Sequence, residues 1–106
     1  KVLWTYKKKG LPIKVINKKG DWYEVEMPER ITGWISSSQI SFKRRVLVIS
    51  GELIDIRRKE QKTSKVIAKV GKNVVGELIG CQKTVCKIDY YKIEGFVEKE
   101  FLWGVD

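Results

Sequence analysis

Short apolar runs of four to seven residues alternate along the chain with clusters of Gly, Asn, Lys and Ser, and no 3.6-residue period lasts beyond two turns. Runs of this length, separated by turn residues, are typical of the strands of a small all-β barrel. The predicted strands are Leu11–Asn17, Trp22–Met27, Gly33–Ile35, Val46–Ser50, Val66–Val70, Val74–Leu78, Cys86–Asp89 and Gly95–Val97. Helix is predicted only as single turns, at Ser36–Gln39 and Glu98–Glu100.

The apolar pattern occurs twice. Gly33-Trp-Ile35 matches Gly95-Phe-Val97 at an offset of 62 residues, and other matches follow at offsets of 63 and 64. The offset changes only at turns, as expected for two diverged copies, because loops tolerate insertions and strands do not. We therefore predict two tandem units packed together, a first unit of residues 1–45 and a second unit of residues 46–106.

The two units differ at their beginnings. Val2–Tyr6 matches Val66–Val70, so the preceding segment Val46–Ser64 has no counterpart in the first unit. We expect the first unit to lack its opening strand and loop. Residues further upstream or another segment would then complete it, and Val46–Ser50 is a candidate because an open sheet edge invites pairing. Since Lys1 is not a Met, we expect that an N-terminal piece has been removed.

Basic residues outnumber acidic ones by 22 to 13, which gives a formal net charge of +9. Residues 1–45 contain eleven basic and four acidic residues, whereas residues 46–106 contain eleven and nine. This asymmetry fits an anionic partner such as nucleic acid, phospholipid headgroups or an acidic polymer, and it also fits lysines on solvated loops. No apolar run approaches the ~20 residues of a transmembrane helix.

Side chains for catalysis or metal binding are scarce. Histidine is absent, and Cys81 and Cys86 are the only cysteines. Without histidine there is no histidine-activated nucleophile, and two thiolates alone make a poor structural zinc site, so we expect no enzyme activity, metal or cofactor. The two cysteines flank a short turn, where direct opposition would give disulfide spacing; two unpaired thiols are the alternative. A disulfide would indicate an oxidising compartment such as the periplasm.

The order of these motifs resembles the Src-homology-3 (SH3) barrel, and more closely the bacterial SH3-like domains of cell-envelope proteins. In the first unit the resemblance rests on Gly20-Asp-Trp-Tyr-Glu-Val25 and Gly33-Trp-Ile-Ser-Ser-Ser-Gln-Ile40. In the second unit it rests on Ile56-Arg57, Gly95-Phe-Val97 and Phe101-Leu-Trp-Gly104. It implies an SH3-like barrel in each unit and a non-catalytic recognition role in an exported protein.

The resemblance also implies a shallow aromatic groove for a peptide. Trp22 and Gln39 align with the groove Trp and Tyr of the eukaryotic family, although neither unit keeps the full aromatic set. The expected ligand-binding residues are Trp22, Tyr23, Tyr6 and Gln39 in the first unit, with Arg57 and Phe101 in the second. We expect Trp34 and Trp103 to be structural, at a barrel end or between the units.

Three functional hypotheses follow. The leading one is a binding protein of the cell envelope that engages cell-wall peptide or a protein partner. The second is a small basic barrel that binds nucleic acid, which the charge and aromatics favour and the scarcity of arginine disfavours. The third is a structural spacer whose units fuse through Trp34, Phe42 and Trp103 and present another surface.

Overall fold

Twelve strands and three one-turn 3₁₀ helices account for the regular structure in the computed structural model, which describes residues 2–8 and 10–105. The strands are β1 (Val2–Tyr6), β2 (Leu11–Lys19), β3 (Trp22–Met27), β4 (Ile31–Ser36), β5 (Ile40–Ser41), β6 (Arg45–Val48), β7 (Ile54–Arg57), β8 (Val66–Val70), β9 (Val75–Gln82), β10 (Val85–Tyr90), β11 (Ile93–Glu98) and β12 (Leu102–Trp103). The 3₁₀ helices are Pro28–Arg30, Ser37–Gln39 and Lys99–Phe101. The predicted all-β class is confirmed, and no helix in the described ranges is long and apolar enough to span a membrane.

The strands form two antiparallel sheets, which are consistent with SH3-like barrels. The first sheet has the order β4-β3-β2-β1-β5, and the second has the order β12-β6-β9-β10-β11-β7-β8. The break between the sheets falls between Ser41 and Arg45. The molecule is elongated, with extents of 48 × 24 × 23 Å.

The five-strand order of the first sheet recurs in the second as β11-β10-β9-β6-β12. β1 pairs with β2 and β5, just as β6 pairs with β9 and β12. Val2–Tyr6 (β1) therefore has the position in the first sheet that Arg45–Val48 (β6) has in the second. Its sequence, however, matches Val66–Val70, which is β8 and pairs with β7. Compared strand by strand, the described residues of the first sheet lack an equivalent of the β7–β8 hairpin, whereas the opening strand that was expected to be missing is present as β1. The suggestion that Val46–Ser50 completes the first barrel is wrong, because β6 belongs to the second sheet.

The two cores differ in size. The fully buried residues of the first core are Ile13, Val25 and Ile40, and the half-buried residues around them are Trp4, Tyr6, Val15, Tyr23, Met27 and Ile35. The buried residues of the second core are Val46, Val48, Ile54, Ile56, Cys86, Ile88, Tyr90, Val97 and Leu102. Two of these nine, Ile54 and Ile56, come from β7, and burial of each contributes about 1.5–3 kcal/mol.

The two sheets pack against each other through β2 and β6. Leu3 and Leu47 are buried although neither belongs to the two cores. A β-carbon at Gly104 would lie 3.1 Å from the β-carbon of Pro12, which shows how closely the end of the second sheet approaches β2. This close packing positions β2 beside the loops of the second sheet.

Candidate functional site

Trp22 lies on the outer face of the β3–β4 hairpin. Trp22 is paired with Ser36, and Glu24 with Trp34. Because cross-strand partners share a face and strand residues alternate, Trp22 and Trp34 lie on the same side of the hairpin. They are 53% and 45% exposed, and with Lys19 they line a shallow depression of about 520 Å³. Trp34 thus lies on an exposed face beside Trp22, not against the second sheet as the spacer hypothesis requires.

Tyr23 and Tyr6 point to the opposite side, where they pack on the first core. The ring of Tyr23 makes an edge contact with Trp4 at a centroid distance of 5.5 Å, and Lys18 Nζ lies 5.5 Å from its centroid. Gln39 is exposed, and its carbonyl accepts a hydrogen bond from the N–H of Lys7 at 2.9 Å. The four residues predicted to line one groove in the first unit therefore do not line a common surface.

Arg57 and Phe101, by contrast, line the same cleft. Arg57 is the last residue of β7. Its guanidinium donates hydrogen bonds to the Ser64 carbonyl at 2.8 Å and to the Asp55 carboxylate at 3.3 Å. Phe101 is half-buried in the 3₁₀ helix that precedes β12. The cleft between them has a volume of about 100 Å³ and includes Phe96.

The loop that forms the rim of this cleft is held in place by its own hydrogen bonds. The Ser64 hydroxyl donates to the Lys59 carbonyl at 2.9 Å and accepts from the Lys59 N–H at 3.2 Å. The N–H of Arg58 donates to the carbonyl of Lys65 at 2.9 Å. A rim that is already ordered loses less conformational entropy when a ligand binds.

A larger cavity of about 650 Å³ adjoins the cleft at Lys62 and Glu98, which line both. The Lys62 ammonium and the Glu98 carboxylate lie 3.3 Å apart and form an ion pair at this junction. We refer to the cleft and the cavity together as the groove. Its wall is built from the 3₁₀ helix Lys99–Phe101 and the β9–β10 turn, which are joined by a 2.7 Å hydrogen bond from the Lys99 N–H to the Thr84 carbonyl.

The first sheet contributes one residue to the groove. Lys14 of β2 lines the cavity, and its Nζ lies 5.0 Å from the centroid of the Trp103 ring. Trp103 therefore meets the first sheet, as expected of an aromatic residue between the two units. Lys14 itself carried no sequence signal, because its place at the groove depends on how the two sheets pack.

The groove combines an apolar floor with an excess of positive charge. The apolar lining of the cavity comes from Leu102, Trp103 and Val105. Its charged lining consists of four lysines and two glutamates: Lys14, Lys62, Lys83, Lys99, Glu98 and Glu100. Such a surface suits an extended ligand that carries carboxylates. Among the described residues there is no group of three or more His, Cys, Asp or Glu that could hold a metal ion.

Cys81 and Cys86 form a disulfide that supports one wall of the groove. The bond joins the end of β9 to the start of β10, with the two Cα atoms 4.0 Å apart. Only Lys83 and Thr84 lie between the two strands, and both residues line the cavity. Because the disulfide closes the base of this turn, it limits the turn's movement relative to β10.

Comparison with known proteins gives a family match for part of the chain. The model of a family described as "Bacterial SH3 domain" matches residues 1–41. No curated protein matches the chain.

Two solved structures have a similar fold. The structure of NlpC2 from Trichomonas vaginalis has a TM-score of 0.53 at 12% identity, covering 89% of this chain and 35% of that one. The structure of NlpC1 from the same organism has a TM-score of 0.52 at 13% identity, covering 88% of this chain and 33% of that one. The chain thus spans about a third of the length of these structures. Residues 1–41 form a domain similar to bacterial SH3 domains.

Proposed function

We propose that this chain is a non-catalytic binding module of the bacterial cell envelope, made of two SH3-like units, residues 1–45 and residues 46–106. Its ligand is an extended peptide that carries carboxylates, from the cell wall or from a partner protein. One observation carries the proposal: the Arg57–Phe101 cleft adjoins the 650 Å³ cavity at Lys62 and Glu98, and the lining of that cavity combines apolar side chains with an excess of lysines.

The chemistry of the groove indicates how such a peptide would bind. Trp103 and Phe101 offer apolar area, and Lys14, Lys83 and Lys99 stand where they can meet carboxylates. Exposed ion pairs contribute only about 0.2–1 kcal/mol each, so the apolar contacts must supply much of the affinity. Lysine selects for negative charge without fixing its geometry as arginine would, which favours a site that accepts several acidic peptides.

Export to the envelope is part of the proposal. The disulfide supports it, because disulfides persist in oxidising compartments and are rare in a reducing cytoplasm. The match of residues 1–41 to the bacterial SH3 family supports it as well, since domains of this kind are found in cell-envelope proteins. The Trp22–Trp34 depression is a second, shallower surface on which a ligand could stack, but it lacks the converging charges of the groove.

A titration of ¹⁵N-labelled protein with a soluble cell-wall stem peptide, followed by NMR, tests the groove. We expect chemical-shift changes at Lys83–Thr84 and at Lys99–Trp103, and weaker binding of the same peptide with its carboxylates amidated. Lys83→Glu should lower the affinity about tenfold, because it replaces an attractive charge with a repulsive one. The matched control is Lys72→Glu, which changes an exposed lysine of the β8–β9 turn that does not line the groove.

Two outcomes would contradict the proposal. One is equal binding of the free and amidated peptides; the other is equal weakening by Lys83→Glu and Lys72→Glu. Binding of a single-stranded oligonucleotide that falls steeply with salt, in the absence of peptide binding, would instead support the nucleic-acid hypothesis.

A further inference from the structure

β4 is an outer strand of the first sheet and lacks the features that normally protect such an edge. Two of the other outer strands, β5 and β12, have only two residues each, and the third, β8, carries Lys69 and directly follows Lys65. Short edge strands and edge lysines both discourage pairing with another chain. β4 has six residues and no charge, and its Ile31 is 55% exposed. It is therefore the one outer strand of the described sheets that is open to pairing.

The second sheet shows what occupies the corresponding edge. β11 has the same position as β4, and β7 pairs with it in antiparallel fashion, with Arg57 opposite Phe96. From that position β7 places Ile54 and Ile56 in the second core. The chain thus contains its own example of a strand added at this edge.

Two glycines at equivalent positions differ in their surroundings. Gly33 of β4 lies opposite Val25, and Gly95 of β11 lies opposite Ile88; Val25 and Ile88 are both fully buried. A β-carbon at Gly95 would lie 2.3 Å from Ile56 Cγ2 and 2.8 Å from the Arg57 carbonyl oxygen, so glycine is needed there for β7 to cross. A β-carbon at Gly33 would have no atom within 4 Å. The first sheet thus has a glycine at the equivalent position, but the space that β7 fills beside Gly95 is empty beside Gly33 in the described residues.

Apolar side chains in and around the first core are left partly uncovered. Trp4, Tyr23 and Ile35 are half-buried, and Phe42, which makes an edge contact with Trp4 at a centroid distance of 4.8 Å, is 74% exposed. In the second sheet the equivalent space holds the side chains of β7. Burial of the corresponding aromatic area would favour the addition of a strand to the first sheet.

We propose that β4 accepts an antiparallel strand from a partner protein, laid across Gly33 as β7 is laid across Gly95. The partner strand has alternating apolar residues, one of which occupies the space above Gly33 as Ile56 does above Gly95. Its polar positions are basic, because Glu24 and Glu26 of β3 lie directly opposite Trp34 and Thr32 of β4, and Glu29 lies just before β4. This inference goes beyond the proposed function, since β4 does not line the groove.

The test uses a synthetic peptide with the sequence Lys65–Val70, in which the apolar residues Val66, Ala68 and Val70 take alternate positions and Lys65 and Lys69 are basic. Amide hydrogen exchange of the whole chain is measured by mass spectrometry with and without millimolar peptide. We expect exchange in Ile31–Ser36 to slow at least tenfold, since main-chain hydrogen bonds form along the edge. Gly33→Val should abolish the slowing, because its side chain occupies the space of the incoming strand without disturbing the free protein.

The matched control is Gly80→Val, at another strand glycine with no atom within 4 Å of its β-carbon position, which should bind the peptide like the wild type. The groove variant Lys83→Glu should also leave this binding unchanged, so failure of the groove proposal and failure of this one are separable. The inference is overturned if β4 stays unprotected, or if Gly33→Val is protected like the wild type. Protection of β4 that grows with protein concentration in the absence of peptide would also overturn it, because the occupant would then be a second copy of the chain.

Discussion

The second sheet covers its core with the β7–β8 hairpin, whereas the first sheet, whose five strands follow the same order, has no strand beyond β4 in the described residues. The hairpin supplies Ile54 and Ile56 to the second core, and the loop between its strands builds the rim of the groove. The same element therefore closes a core and lines the proposed binding groove. Its absence from the first sheet leaves an uncharged edge and half-buried aromatics.

A second difference occurs at one pair of equivalent positions. Where the second sheet has the Cys81–Cys86 disulfide, the first sheet has Lys18 paired with Tyr23, with Lys18 Nζ 5.5 Å from the ring centroid. The Lys18–Tyr23 contact joins β2 to β3, and the disulfide joins β9 to β10, in each case near the turn between the two strands. The disulfide lies beside the groove and holds the turn that contributes Lys83 and Thr84 to its lining.

The largest expected effect comes from loosening the hairpin that distinguishes the sheets. Ile56→Ala should lower the free energy of unfolding by about 2–5 kcal/mol, because it removes a fully buried side chain of β7 and leaves a cavity. Urea denaturation followed by tryptophan fluorescence measures this change. The control Leu53→Ala, which truncates a side chain that is 68% exposed just before β7, should have an effect within about 0.5 kcal/mol. Equal effects would mean that β7 does not contribute to the second core.

The two equivalent glycines give an opposite pair of predictions. Gly95→Ala should destabilise the protein by about 3 kcal/mol, because the new methyl group overlaps Ile56 and the Arg57 carbonyl. Gly33→Ala should stabilise it by about 0.5–1 kcal/mol, because alanine in a strand loses less conformational entropy on folding than glycine. Thermal and urea unfolding of both variants measure these shifts. Destabilisation by Gly33→Ala similar to that of Gly95→Ala would contradict the open space at β4.

Reduction of the disulfide should have a smaller effect, confined to the second sheet. Closing so short a loop contributes about 2 kcal/mol in the chain-entropy model, and that contribution is lost when the bond is reduced. Urea unfolding with and without a reductant measures the loss, and Cys81→Ser, which changes the exposed partner, should reproduce it. Hydrogen exchange should accelerate at Lys83–Thr84 and remain unchanged in Ile31–Ser36; equal acceleration of both would contradict a local role.

The smallest effect at neutral pH is expected at Tyr90, which ends β10 where Met27 ends β3. Burial raises the pKa of Tyr90 from its ordinary value of 10.0 to about 12, and its hydroxyl is buried without a hydrogen-bond partner among the described residues. The stability that depends on the neutral phenol is complete below pH 10 and is lost as the pH rises towards 12. Tyr90→Phe should change the free energy of unfolding by less than about 1 kcal/mol at pH 7.

The pH dependence separates Tyr90 from the other ionisable groups. The stability of wild type relative to Tyr90→Phe should fall between pH 10 and 12, in urea unfolding experiments at each pH. Effects of pH that act equally on both proteins cancel in this difference. A difference that stays constant over this range would contradict a raised pKa.

Much of the fold could be predicted from local patterns. Alternating apolar residues located most of the strands, and the Ser36–Gln39 and Glu98–Glu100 turns correspond to observed 3₁₀ helices at Ser37–Gln39 and Lys99–Phe101. The position of Val2–Tyr6 could not be predicted, because which neighbour a strand pairs with depends on the whole sheet. Its sequence matches β8, but its place in the sheet is that of β6.

The candidate site was less accessible to sequence reasoning. One signal was available: Trp22 and Tyr23 are adjacent in a strand and so must face opposite sides, which excludes a groove lined by both. Arg57 and Phe101, which the resemblance assigned to the ligand site of the second unit, do share a cleft. The larger cavity depends on Lys14 from the other sheet and on a turn tightened by a disulfide, and neither is visible in local sequence.

The central claim is that the first sheet has an open edge where the second sheet is covered, and amide hydrogen exchange of the wild-type chain tests it most directly. The two segments to compare are β4, Ile31–Ser36, and its equivalent β11, Ile93–Glu98. β4 is bonded on one side only, by β3, whereas β11 lies between β10 and β7. We predict that β4 exchanges at least tenfold faster than β11 at low protein concentration. Equal protection of the two strands would contradict the account.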